Sequence, residues 1–223
     1  MKQIQSLIDD AKVNKKSVER IRYMPYSERI AKNVWFGIAK NIIGKIEITE
    51  SIKKVWSELI KYVHADPSCI YDLTKSIILM GRTGSGKSAT MEILSKYISI
   101  DEVKFMRNGK RVSFNFNTYS ARDIVSDYAE SGYDGIAKYE IYSNICIDDL
   151  GTESNQPVMY YGTRLKVINE IIELRYAKGL TTHFTTNMDM NLILSNYDDR
   201  VHSRISQQCN QIILNDKDFR INQ

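Results

Sequence analysis

Apolar residues recur on one helical face over Ser51–Val63, where Ile52, Val55, Trp56, Leu59 and Ile60 follow i, i+3, i+4, i+7 and i+8 spacing. Asp66-Pro67 ends that pattern, because the proline ring disfavours helical backbone in the residue before it. Residues 1–65 as a whole read as a helical N-terminal region of unknown role. From about residue 75 the texture changes. Short apolar or alternating runs at Ser76–Met80, Val112–Tyr119, Tyr142–Ile147, Thr181–Thr186 and Gln211–Leu214 predict strands. Between them, helical periodicity marks Ala89–Ile98, Ala121–Glu130, Thr163–Ala177 and Met190–Gln208. Strands alternating with helices predict an α/β fold, a parallel central sheet flanked by helices and preceded by the small helical region.

Composition narrows the picture. Hydrophobic residues make up 43% and charged residues 26% of the 223, which excludes a wholly disordered chain. No apolar run reaches the roughly 18 residues a membrane span needs, and the polar start MKQIQSLIDDAKVNKK lacks a secretory apolar core. A cytoplasmic protein without a membrane partner is expected. Cys69, Cys146 and Cys209 are odd in number and widely spaced, the pattern of thiols in a reducing compartment rather than of disulfides or a zinc site. The net charge of +4 lies wholly in residues 1–74, with 13 Lys/Arg against 9 Asp/Glu, while the remainder holds 18 of each. That excess permits a nucleic-acid partner without requiring one.

The candidate chemistry begins at Gly81-Arg82-Thr83-Gly84-Ser85-Gly86-Lys87-Ser88, which fits G-x-x-x-x-G-K-[ST] between a predicted strand and a predicted helix. Glycines let successive N–H groups turn toward phosphate oxygens, and the helix that follows, with Ala89 in its first turn, adds its positive end. Lys87 is expected to reach the β- and γ-phosphates of ATP, and the Ser88 hydroxyl to ligate Mg²⁺. Downstream, Ile145-Cys146-Ile147-Asp148-Asp149 is an apolar strand ending in two carboxylates. Asp148 suits a Mg²⁺ ligand, and Asp149 a base or orienter for an attacking water.

With these motifs in place, Ile147-Asp148-Asp149-Leu150-Gly151-Thr152-Glu153 resembles the Walker B segment of AAA+ ATPases of the bacterial helicase-loader (DnaC-like) and IstB-like family. The likeness continues in order. Thr185-Thr186-Asn187 resembles a sensor-1 strand end, Tyr197–Ile205 an arginine-finger helix, and Asp218-Phe219-Arg220 a terminal sensor-2 segment. The resemblance implies a AAA+ core over 66–223 and an ATP-dependent helicase loader, with ATP and Mg²⁺ as cofactors and single-stranded DNA and a replicative helicase as partners. It implies catalytic roles for Lys87, Asp149, Asn187 and Arg204. Arg204 would be supplied to a neighbouring copy in a homo-oligomer, with Arg200 as second choice, and Arg220 would touch nucleotide in its own chain. A bacterial cell, or a phage or mobile element within one, is the implied setting. An IstB-like transposition regulator, whose partner is a transposase, shares every one of these motifs; a nucleotide or small-molecule kinase shares the phosphate loop. The chain departs from the family at Asp198, where a glycine is common, and at Asn215–Asp218. For DNA, the basic cluster Lys104, Arg107, Lys110 and Arg111 around an Asn108-Gly109 turn is one candidate, and Arg122, Tyr128, Tyr133 and Lys138 form another.

Overall fold

A computed structural model describes residues 25–44, 48–100, 105–107, 110–112, 114–153 and 156–214; residues 105–107 and 110–112 are described by backbone alone. Among the described residues two helices come first, α1 (Glu28–Ile43) and α2 (Glu50–Val63). Each is capped by a hydroxyl: Ser27 accepts from the Ile30 amide, Thr49 from the Ile52 amide. These caps satisfy donors that the first helical turn leaves open.

The core sheet runs β4 (Asn117–Ser120), β5 (Asn144–Leu150), β8 (Thr181–Thr186), β1 (Ser76–Met80), β9 (Cys209–Ile213), all parallel. The connections include α3 (Lys87–Ile98), α4 (Ala121–Ser131), α5 (Tyr133–Ile141), α6 (Val167–Ala177), α7 (Met190–Asn196) and α8 (Asp199–Gln208). Two small antiparallel hairpins stand apart from the sheet, β2 (Phe105–Arg107) with β3 (Lys110–Val112), and β6 (Val158–Tyr160) with β7 (Thr163–Leu165).

Strand alternation divides the core in two. Ile77 and Leu79 of β1 and Cys146 of β5 face α1, α2 and α3, with Trp35, Trp56, Leu59 and Leu94. Ile78 and Met80, with Ile145 and Ile147, face Ile124, Tyr128, Ile171, Ile172, Val201 and Ile205 of the opposite layer. The N-terminal helices thus share one apolar cluster with the helix that follows the phosphate loop. Cys146 and Cys209 are buried free thiols, and Cys69 is half-buried and free. No helix among the described residues is long and apolar enough to cross a membrane.

Three elements differ from expectation for identifiable reasons. The alternating run Val112–Tyr119 is not one strand, because side chains capture the carbonyls in its middle. Ser95 Oγ donates to Phe116 O at 2.9 Å and Asn144 Nδ2 to Asn115 O at 3.3 Å, so the parallel ladder starts only at Asn117. The helix expected from Thr163 begins at Val167, because Tyr161 and Gly162, at φ +43° and +85°, form a two-residue hairpin turn that pairs Thr163 with Tyr160. The long pattern over Met190–Gln208 is two helices. Asp198 breaks it by accepting from the Val201 amide at 2.8 Å and starting α8 anew.

Candidate nucleotide-binding site

The phosphate loop joins the C-terminal end of β1 to α3. Gly81 sits at φ +152°, and a Cβ there would fall 2.1 Å from the Leu214 carbonyl oxygen, so no side chain fits. The Gly81 amide is anchored to Thr186 O at 3.2 Å, tying the loop to the neighbouring strand. Gly86 N-caps α3 without a side-chain bond, which leaves the first-turn amides to a ligand. The Ser85 hydroxyl is buried without a partner among the described residues. Thr83, Gly84, Gly86, Lys87, Ser88 and Ala89 line a cleft of about 400 Å³, while Arg82 is exposed beside it.

Lys87 is buried at the base of the loop. Its Nζ donates to Gly81 O at 2.9 Å, Arg82 O at 2.8 Å and Asn187 Oδ1 at 2.8 Å. Asn187, at the end of β8, is thereby brought to the phosphate loop from 100 residues away. Ser88 Oγ donates to Asp148 Oδ1 at 2.9 Å, and Thr185 Oγ1 donates to the same oxygen at 2.5 Å. A hydroxyl and a carboxylate so close are hard oxygen donors of the kind Mg²⁺ takes. Among the described residues no cluster of three or more His, Cys, Asp or Glu could hold a metal ion. Two protein oxygens, with phosphate and water completing the shell, fit a nucleotide-borne Mg²⁺ rather than an all-protein cage.

Successive residues of a strand point to opposite faces, yet Asp148 meets Ser88 while Asp149 lines the cleft. A register shift between Ile147 and Leu150 and the left-handed backbone of Asp149, φ +55°, break the alternation. The strained turn is held from several sides. The Asp149 amide donates to Thr185 Oγ1 at 2.9 Å, and Thr152 donates to Asp149 O from its amide at 3.0 Å and its hydroxyl at 2.8 Å.

Arg204 does not line the cleft of its own chain. Its Nη2 pairs with Glu173 Oε2 of α6 at 3.3 Å, and its guanidinium lies 4.1 Å from the ring centroid of Tyr176. Arg200, one turn earlier, is exposed. Arg220 lies outside the described residues, as do Lys104, Asn108 and Gly109, and the β2–β3 pairing sets Arg107 opposite Lys110. Of the second DNA candidate group, Tyr128 is buried in the core, Lys138 is paired with Asp127 at 2.9 Å, and Arg122 Nε is held by Thr152 O at 2.9 Å. Tyr133 keeps an exposed ring, 51% accessible.

Sequence reasoning missed one wall of the cleft. Ile43, Ile48, Ile52 and Trp56 close its apolar end, and Trp56 Nε1 donates to Thr90 Oγ1 of α3 at 3.1 Å. Ile52 and Trp56 carried a signal, since both stand on the apolar face of Ser51–Val63, but that face reads equally as core. Thr152 and Thr185 were also missed. Both lie inside the two motif segments, at positions whose hydroxyls matter only once the strands are side by side.

A phosphate loop on β1, a carboxylate pair on β5 and an amide at the end of β8, the strand between them, in the order β4-β5-β8-β1-β9, match the AAA+ P-loop NTPase fold. No family model and no curated protein sequence matches the chain. Solved structures do. The DnaC helicase loader is 18% identical with a TM-score of 0.57, over 82% of this chain and 99% of that one. DnaI is 15% identical with a TM-score of 0.55, over 82% and 92%. The replication initiator DnaA bound to AMPPCP and single-stranded DNA is 16% identical with a TM-score of 0.52, over 82% of this chain and 51% of that one.

Proposed function

We propose that this chain is a Mg²⁺-dependent ATPase that loads a replicative helicase, its nucleotide state controlling assembly on single-stranded DNA. One observation carries the reading: Lys87 bonded to Asn187 beside Ser88 bonded to Asp148, at the mouth of a cleft with an apolar far end. The apolar wall of Ile43, Ile48, Ile52 and Trp56 suits a flat base, and the loop amides suit phosphates. Lys87 exchanges its carbonyl partners for β- and γ-phosphate oxygens. Ser88 and Asp148 would hold Mg²⁺, whose charge offsets that of the phosphates. Asn187 orients a water and Asp149 takes its proton.

Arg204, partly exposed and outside the cleft of its own chain, is read as the guanidinium offered to the next copy. A helicase and single-stranded DNA as partners draw support from the fold shared with DnaC and with DNA-bound DnaA. The test is hydrolysis of ATP with and without single-stranded DNA. Activity should need Mg²⁺, vanish with EDTA, rise with DNA, and disappear in Lys87→Ala. Mixing inactive Asp149→Ala and Arg204→Ala subunits should restore part of the rate. Folded mutants that fail to complement would remove the shared site, and a strictly monomeric active enzyme would remove the assembly model.

A further inference from the structure

Glu153 lies just past the strained Asp149 turn and is buried, and among the described residues no cation pairs with it. An uncompensated buried carboxylate is costly, so its bonds have to repay that cost. Its Oε2 accepts from the Gly151 amide at 2.8 Å, folding the side chain back over the loop. Its Oε1 accepts from the Tyr197 hydroxyl. Burial, and then the Glu153 charge, hold that phenol well above its usual range, so it remains a donor.

Both ends of this bond sit at critical places. On one side, Thr152 lines the cleft and binds the Asp149 carbonyl, so residues 149–153 form one closed loop around the second carboxylate. On the other, Tyr197 is buried at the C-cap of α7, and Asp198 after it is the N-cap of α8. The junction between the two helices is therefore tied by its hydroxyl to the loop that carries Asp149. Arg200 and Arg204 ride on α8, outside the cleft.

We infer that Glu153 is a positioning residue: through Tyr197 it couples the setting of Asp149 in one active site to the orientation of α8, the helix that presents arginines outward. This rests on the proposed ATPase reading for its catalytic consequence, but the coupling itself is a property of the chain. Tyr197→Phe deletes one oxygen and keeps the packing. Glu153→Gln keeps an acceptor for either the phenol or the Gly151 amide, but not for both, since its Nε2 cannot accept.

The experiment compares full-length wild type, both single variants and the double variant. ATP affinity is read from tryptophan fluorescence, turnover from phosphate release, and the protection of α8 amides by hydrogen exchange with and without Mg-ATP. The expected result is ATP affinity within about twofold of wild type, because neither residue lines the cleft, with kcat lowered roughly tenfold or more by misplacement. The double variant should be no worse than the worse single, because one bond is removed twice. Nucleotide-linked protection of α8 should be lost in all three. Unchanged kcat with retained α8 protection would overturn the inference, as would additive losses. If wild type binds ATP without hydrolysing it, the ATPase proposal fails and exchange alone decides. Loss of protection in Tyr197→Phe then supports the coupling, and retention refutes it.

Discussion

Arg175 is fully buried, and among the described residues it has no carboxylate partner. Its guanidinium is satisfied by carbonyls instead, Tyr139 O at 2.6 Å, Tyr142 O at 2.7 Å and Thr181 O at 2.7 Å, with Nε on Thr182 Oγ1 at 2.8 Å. It fastens the end of α5 to the start of β8. Arg175→Met fills the space but strands those acceptors, and should cost about 3–5 kcal/mol, read as a lower urea midpoint at unchanged slope. Two buried histidines make a different prediction. Burial holds both His64 and His183 down to a pKa of about 4, with Arg175 adding to the effect at His183. The unfolded chain takes up their protons near 6.5 and the folded one does not, so the unfolded state binds more protons between the two values. Stability should therefore fall as pH drops from about 7 to about 4, by up to about 3 kcal/mol per histidine. His183 Nδ1 accepts from the Ile77 amide, so His183→Asn offers an oxygen there and should flatten the pH profile measured by thermal unfolding.

At the scale of elements, the break between α7 and α8 shows how one side chain divides a continuous pattern. Met190–Gln208 is periodic enough to read as one helix, and Asp198 is where the folded chain divides it. It caps α8 and accepts from Asn169 Nδ2 at 2.7 Å, binding that break to α6. Burial raises its carboxyl pKa, but the Val201 amide and Asn169 outweigh this and leave it below the usual value. Asp198→Ala should lose both bonds and cost about 1–2 kcal/mol, seen as a lower melting temperature with early exchange in α8. The β6–β7 hairpin was hidden for a related reason. Tyr161-Gly162 is a tight-turn signal, but the polar-apolar pattern after it continues smoothly into α6, so periodicity absorbed the short strand.

For the molecule as a whole, the sheet separates two apolar layers and the cleft opens at the carboxyl ends of its strands, as parallel α/β sheets place their ligands. Because the cleft wall includes α2 as well as the phosphate loop, a nucleotide held there would touch the N-terminal helices and the segment leading into α3 together. Mg-ATP at a hundredfold excess over its dissociation constant should stabilise the fold by about 2.7 kcal/mol, raising the melting temperature by roughly 5–10 °C. Lys87→Ala should abolish that shift while leaving the unliganded melting temperature within a few degrees.

The phosphate loop, the paired aspartates and the strand-helix alternation were legible in the residues because each depends on local order: a spacing, a period, a turn. Ser88 and Asp148 were expected to meet only as shared ligands of Mg²⁺, from what the two motifs require, and the Lys87–Asn187 bond was not expected, since each joins residues far apart along the chain. The left-handed turn that frees Asp149, the apolar wall supplied by Ile52 and Trp56, the Glu153–Tyr197 bond and the pairing of Arg204 with Glu173 belong to the folded chain alone. Each is an encounter between segments that periodicity treats as independent, and the geometry of an encounter is settled by how the layers pack.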